Sequence, residues 1–302
     1  PWRPNGIDAR LMSCGAWGRS QSDEFNQPGR VTTGIGIEIS RNSHNVEISG
    51  NHVRYFTKIG IQGIAGAANT PDQYPRNGRV FSNTVEWGLT GIAMVRTIGW
   101  TVENNLVLDL SPPWMFGNVG KGYSCSHGGN GNRFTENVAV RTGGIGFSFG
   151  CSCVGREKNP SQNECNIVAE RNVTLSSCLR IGKRLGAIDV KANRWKPGTP
   201  HRKGLTMTGN VVIDTACEAS LMVQGFKDVS ITGSSLSLDS GTKYGALLTH
   251  SSELSIDAKM LRGLTDSVGV KADAHSKQVV ISGKPGGEWK TPIIDRSAHT
   301  SR

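Results

Sequence analysis

Residues 34–66 read GIGIEISRNSHNVEISGNHVRYFTKIGIQGIAG. A Gly-Ile-x-Ile strand comes first, then a short polar turn, then Asn-Val-x-Ile-x-x-Asn, then a second Gly-Ile-x-x strand. Apolar and polar residues alternate over short stretches, the period of a half-buried β-strand, and Gly and Asn punctuate them where turns are needed. The phrase recurs as RVFSNTVEWGLTGIAMV (79–95), GWTVENNLVLDL (99–110), NRFTENVAVRTGGIGFSF (132–149), CNIVAERNVTLSSCLRIG (165–182) and KGLTMTGNVVIDTACEASLMVQG (203–225). Weaker copies continue to KQVVISGKPGG (277–287).

Matching residues give the period. Asn210, Ser234, Lys259 and Lys284 follow one another at intervals of 24, 25 and 25 residues. Upstream, Asn51, Asn83, Asn105, Asn137, Asn172 and Asn210 are spaced by 32, 22, 32, 35 and 38, so insertions lengthen the earlier copies. Those insertions are read as 67–78, 111–132, 154–164 and 193–203. Helical repeats are longer and carry a helical pattern, and the Leu/Asn consensus of leucine-rich repeats is absent.

This pattern resembles the right-handed parallel β-helix proteins of the pectate-lyase-like superfamily, whose common repeat is Asn-Val-x-Ile-x-x-Asn…Gly-Ile-x-x. The likeness covers residues 34–284. It implies an all-β solenoid, a right-handed parallel β-helix with coils of about 22–25 residues and loop insertions. Residues 1–33 then lead into or cap the helix, 34–290 form it, and 291–302 are a C-terminal tail. Asparagines at one corner of successive coils are expected to form a hydrogen-bonded ladder, which also takes Asn172 of the formal sequon NVT into the structure.

Aligning the last strand of each phrase places Val95, Phe149, Val190, Val223, Leu248 and Val270 inward. Met94, Ser148, Asp189, Met222, Leu247 and Gly269 then face outward, as do Arg96, Gly150, Lys191, Gln224, Thr249 and Lys271. Seven cysteines include no C-x-x-C pair, so a zinc ribbon is not expected. They read as small core residues, with Cys178 and Cys217 in neighbouring inward positions and a Cys153–Cys165 bridge as the alternative.

The net charge is +10. Residues 180–203, RIGKRLGAIDVKANRWKPGTPHRK, carry eight Lys or Arg against the single acid Asp189. A basic protein attracts polyanions of every kind. No apolar run approaches the roughly 20 residues that span a bilayer, and no membrane association is expected. Nucleic acid is disfavoured as a partner, because no recognised module is present and aromatics are not interleaved with the basic run.

An acidic polysaccharide or oligosaccharide remains as the expected partner, bound in a basic groove over the middle coils. β-Elimination on a uronate needs a cation to neutralise the carboxylate and a base near working pH. Lys191 or Arg194 supplies the base, with Asp189 beside Lys191 and His127 or His201 as alternative bases. Arg184, Lys183, Arg96, Trp195, Trp114 and Tyr123 are candidate substrate contacts, Tyr123 also as a general acid. Clustered acids are scarce, so Asp189 with a neighbour is the candidate if calcium is a cofactor.

Polygalacturonase-type hydrolases of the superfamily carry N-T-D, D-D, G-H-G and R-I-K. This chain has the echoes SHGG (126–129) and RIGK (180–183), but GGIGFSFG (143–150) stands where the aspartate pair is expected. The D-P-H-D signature of mannuronan epimerases is also absent. The reading is an extracellular or secreted polysaccharide-degrading enzyme, a lyase first and a glycoside hydrolase second. Resemblance to phage tailspike depolymerases adds a virion-associated setting and a homotrimer as expectations. A non-catalytic glycan-binding β-helix is the competing reading.

Overall fold

The computed structural model describes residues 34–296 except 57, 66–70, 111–119, 127–128, 152–163, 180–184, 193–200, 238–241, 264–267, 284 and 288–290. The chain is a right-handed parallel β-helix. Each coil gives one strand to each of three sheets, and every described strand pairing is parallel. The first sheet has ten strands, from Ile35–Ile39 to Thr291–Asp295. The second runs from Glu47–Ser49 to Lys277–Ser282 and the third from His52–Arg54 to Gly286–Gly287. The only helical elements described are two short 3-10 turns, Pro71–Gln73 and Ala258–Met260.

The alternation that marks the strands in the sequence is the alternation of core and surface. Ile61, Ile92, Tyr123, Phe147, Ile188, Leu221, Ala246 and Val270 stand in register on successive coils, all fully or nearly fully buried. Two residues on, Met94, Cys125, Phe149, Val190, Val223 and Leu248 form a second inward row. Burying each large apolar side chain contributes about 1.5–3 kcal/mol before chain entropy is charged against it.

The repeated glycine has a packing cause. Gly60, Gly91, Gly122 and Gly146 stand near the start of successive first-sheet strands, where the chain enters close to the third sheet. A Cβ on Gly91 would lie 2.4 Å from Val107 Cγ1 and 2.6 Å from the carbonyl oxygen of Gly122. No side chain fits there.

The asparagine ladder forms at the corner between the second and third sheets. Each side-chain amide donates to the next carbonyl: Asn51 to Asn83 at 3.0 Å, Asn83 to Asn105 at 2.9 Å, Asn105 to Asn137 at 3.0 Å, Asn137 to Asn172 at 3.0 Å and Asn172 to Asn210 at 2.9 Å. Ser234 takes over as the acceptor for the backbone N–H of Asn210. Asn172 is buried as a rung.

The structure corrects several expectations. Residues 121–126, assigned to the insertion 111–132, are a first-sheet strand of the fourth coil. In the third coil Met94 is the inward residue and Val95 is half-buried on the other side. Val270 points inward but aligns with Ala246, not with Leu248. Thr291–Asp295, expected in the tail, adds the tenth strand of the first sheet. Cys178 and Cys217 are buried on neighbouring coils, as expected, but they are joined by a disulfide, with Cα atoms 5.2 Å apart. Equivalent positions on successive coils are about 4.8 Å apart, inside the range a disulfide spans. Cys165 is buried, and Cys153, its alternative partner in the sequence reading, lies outside the described residues.

Candidate functional site

The outward faces of the second and third sheets are neutralised coil by coil. Arg79 lies between Glu47 and Glu103, Arg133 is 3.3 Å from Glu170, and Lys203 is 2.7 Å from Glu164. Arg141 contacts Asp109 at 2.6 Å and Arg171 contacts Glu136 at 2.7 Å. Such exposed pairs each contribute little, but they leave those faces with balanced charge.

The first sheet differs. Its outward side in coils four to six carries Lys121, Ser124, Ser148, Asp189 and Lys191, brought together by the register Ser124–Ser148–Asp189 across three neighbouring strands. The Lys121 ammonium donates to Ser148 Oγ at 3.2 Å, and Lys191 Nζ lies 3.2 Å from Asp189 Oδ2. Asp189 is only 4% exposed, and its Oδ1 is buried with no hydrogen-bond partner.

Electrostatics follow from that burial. Loss of solvent pushes the Asp189 carboxyl up to about 6, against the opposing pull of Lys191 and Lys121. Burial also lowers the Lys121 ammonium, with Asp189 opposing and Lys191 adding to the shift. Two ammonium groups therefore share one carboxylate, and an anion arriving here meets an excess of positive charge. A carboxyl titrating near 6 also exchanges its proton close to neutral pH.

Asp189 and Lys191 lie on the expected side of the expected strand, and Ser148 stands in register with Asp189 as the alignment placed it. Asp189 is buried there, however, where the sequence suggested an open surface residue. Tyr123 is a plain correction. It faces inward, fully buried, stacked on Phe147 with centroids 4.7 Å apart. Its hydroxyl faces the Asn105 and Val138 carbonyls at 2.7 and 3.1 Å, and burial raises its pKa well above the usual tyrosine value. It is a core residue and no general acid.

His201 stands just before strand Arg202–Thr208, half-buried, its Nε2 2.9 Å from the carbonyl of His250. Burial lowers its pKa, and that hydrogen bond opposes the shift. Arg96 sits at the turn after Val95, its backbone N–H donating to the Ser126 carbonyl. The described contacts of neither include Lys121, Ser148, Asp189 or Lys191. His127, Arg194, Arg184, Lys183, Trp195 and Trp114 lie outside the described residues.

Lys121 is the residue that sequence reasoning missed. Its strand, KGYSCS, has no aliphatic residue, yet Gly122 followed by an aromatic at the next position repeats the Gly-Ile phase of the other coils. The donor set around Asp189 does not fit calcium. Its charged neighbours are ammonium groups, and among the described residues no group of three or more His, Cys, Asp or Glu converges as a metal site. No helix among the described residues is long and apolar enough to cross a membrane.

No family model and no curated protein matches the chain. Among solved structures, the fold is similar to the A-module of the Azotobacter vinelandii mannuronan C-5 epimerase AlgE6, with a TM-score of 0.54 and 14% identity over 86% of this chain and 65% of that one. It is also similar to the N-terminal fragment of bacteriophage phi29 gene product 12, with a TM-score of 0.57 and 12% identity over 82% of this chain and 47% of that one. The chain spans less than two thirds of either. At these identities the likeness is one of fold.

Proposed function

We propose that this β-helix binds and degrades an acidic polysaccharide by β-elimination, along the outward side of the first sheet over coils four to six. One observation carries the reading: two lysines and a carboxyl pushed up to about 6 stand on two strands with the strand of Ser148 between them, on the side facing away from the core. The neighbouring sheets balance such charges in exposed pairs; here the same groups are withdrawn from water at a cost to the fold. Buried, perturbed titratable groups of this kind are associated with sites of chemistry.

In this reading the ammonium of Lys191, with that of Lys121 two coils away, neutralises the uronate carboxylate and so acidifies the proton at C5. Asp189 holds Lys191 in place through Oδ2, and its orphaned Oδ1 is an acceptor for a ligand hydroxyl or a water. The C5 proton leaves to a base other than Lys191, which acts here as the ammonium. Arg194 and His127 are the candidates, both outside the described residues. As the C4–C5 double bond forms, the C4–O bond breaks and the departing sugar oxygen takes up a proton. A hydrolase needs a second carboxyl about 5–10 Å away. Among the described residues no carboxylate is among the groups that shift Asp189, which favours elimination. The Cys178–Cys217 bridge suits an oxidising, extracellular setting, and both the virion-associated setting and a homotrimer remain part of the proposal.

The test is incubation with polyuronates and with neutral glycans, following the ultraviolet absorbance of the unsaturated sugar and the appearance of reducing ends. Unsaturated product from a polyuronate is the expected result. Reducing ends without that absorbance would make the protein a hydrolase. Binding without either product would make it a non-catalytic glycan-binding β-helix.

A further inference from the structure

At the corner leading from the third sheet into the first, one equivalent residue in each of the first six coils has a left-handed backbone: Tyr55, Trp87, Asp109, Arg141, Ser176 and Asp214. In coils three and four the pair is Asp109 and Arg141, joined by hydrogen bonds of 2.6 and 2.8 Å. In coils five and six Ser176 donates to Asp214 at 2.6 Å. Coils one and two instead present two aromatic rings, with φ of 58° at Tyr55 and 60° at Trp87.

Local chemistry does not favour that choice. Asn and Asp tolerate the left-handed region, whereas a bulky residue there is an outlier. Nor is burial the return, because Tyr55 is 50% and Trp87 38% exposed. The rings are side by side, centroids 6.3 Å apart and tilted by 34°. A polar strip borders them. His52 Nε2 lies 2.6 Å from Glu86 Oε1, Arg54 lies 3.2 Å from His52 Nδ1, and the Arg54 guanidinium carbon is 6.0 Å from the Tyr55 ring centroid.

We propose that Tyr55 and Trp87 form a sugar-stacking platform that receives the apolar C–H face of a pyranose ring, with Arg54, His52 and Glu86 bonding to its hydroxyl rim. A pyranose presents this combination, an apolar face surrounded by hydroxyls, and amphipathic aromatic rings beside polar groups match it. Placement ties the platform to the proposed site. Trp87 stands three residues before Thr90, whose register partner in the next coil is Lys121. With coils about 4.8 Å apart, a glycan lying parallel to the helix axis meets the rings over coils one and two and the lysines over coils four to six. The inference rests on the glycan reading above and assigns it a second subsite, in which ring stacking does the holding.

Tyr55→Asn with Trp87→Asn removes both rings while suiting the left-handed backbone, and Trp87→Phe keeps an aromatic face. Binding of short oligomannuronates, oligogalacturonates and neutral oligoglucose is measured by calorimetry at low and high salt. The double variant is expected to bind the acidic oligomer that the wild type recognises about tenfold more weakly, by a similar factor at both salts, because stacking is not screened. Trp87→Phe keeps most of the affinity, and Lys191→Ala loses affinity chiefly at low salt. Unchanged binding by the double variant, alongside a loss in Lys191→Ala, overturns the platform and leaves the glycan reading standing. A wild-type protein that binds none of the oligomers overturns both. Dissociation of a wild-type oligomer in the double variant, seen by sedimentation, overturns the platform in favour of contact with a second copy of the chain.

Discussion

The Lys191 ammonium lies 3.2 Å from Asp189 Oδ2, while Oδ1 of the same carboxylate is buried with no hydrogen-bond partner. A pair built for stability would satisfy both oxygens, since a buried acceptor without a donor costs about 1–3 kcal/mol. One oxygen holds the lysine, and in the proposed function the other is the acceptor for a ligand hydroxyl or a water. Other buried polar atoms also lack a partner, Gln62 Oε1 and Trp100 Nε1 among them, but Asp189 is the carboxylate in that set, and it lies on the outward side of the first sheet.

Asp189 therefore destabilises the fold at neutral pH. Its folded pKa of about 6 lies above its ordinary value of 3.8, so the folded state holds the proton more tightly than the unfolded chain. The penalty is fully present above about pH 6 and is relieved as pH falls through that value towards 3.8. Its size is about 3 kcal/mol. Asp189→Asn should be more stable than wild type at pH 7, with the advantage disappearing on acidification. Urea denaturation of both proteins across this range measures the difference, which cancels titrations common to both. An Asn variant less stable than wild type at pH 7 would show the carboxylate to be structural.

Function should run in the opposite direction. Ionised Asp189 holds Lys191, so turnover is expected to fall as pH drops below about 6. Asp189→Asn should lose activity at every pH despite its firmer fold. Lys191→Ala should lower turnover at least a hundredfold, with circular dichroism close to wild type and a lower melting temperature, because the buried Asp189 carboxylate loses its ion pair. Lys121→Met keeps the packing of the stem and removes the charge, and should raise KM more than it lowers kcat. Wild-type kinetics in both lysine variants would move the chemistry elsewhere, first to the segment containing His127.

The ladder predicts a large effect from one small residue. Asn137 Oδ1 accepts from the side chain and from the backbone N–H of Asn105, and Asn137 Nδ2 donates to the Val102 carbonyl and to Asn172. Asn137→Ala leaves buried donors and an acceptor unpaired, at a cost of about 3 kcal/mol. Asn137→Asp restores acceptors but repels the Val102 carbonyl and should not rescue. A thermal melt of each variant checks this.

How much of this was legible depended on letters. The solenoid, its period and the ladder could be read because Asn-Val-x-Ile-x-x-Asn recurs with apolar residues at alternate positions, and each rung is an asparagine. The strand KGYSCS was not, because its inward residues are Tyr123 and Cys125, which read as polar-loop residues until the core beneath is known. That one omission hid Lys121 and sent Tyr123 to the surface. Asp189 and Lys191 were legible as outward neighbours from period two alone. The burial of Asp189 was not, since it depends on what surrounds an outward face and not on alternation. Tyr55 and Trp87 lie in a turn, where strand periodicity carries no information.

The register offers the sharpest check, because a slip of one residue exchanges inside for outside. Met94 is fully buried in line with Cys125 and Phe149, and Val95 lies on the outward side, in line with Ser126. Val95→Asp should therefore fold, with a loss of stability about that of a surface substitution, below ~1 kcal/mol. Met94→Asp and Val190→Asp each place a carboxylate in the stacked core, which costs several kcal/mol, and should abolish cooperative folding. The sequence alignment alone gave the reverse order for positions 94 and 95. Expression of the three variants, followed by urea titration of whatever is soluble, separates the two registers. A soluble, cooperative Met94→Asp protein with an unfolded Val95→Asp counterpart would show the third coil to be shifted by one residue, and with it the alignment of Thr90 to Lys121 that joins the aromatic corner to the lysines.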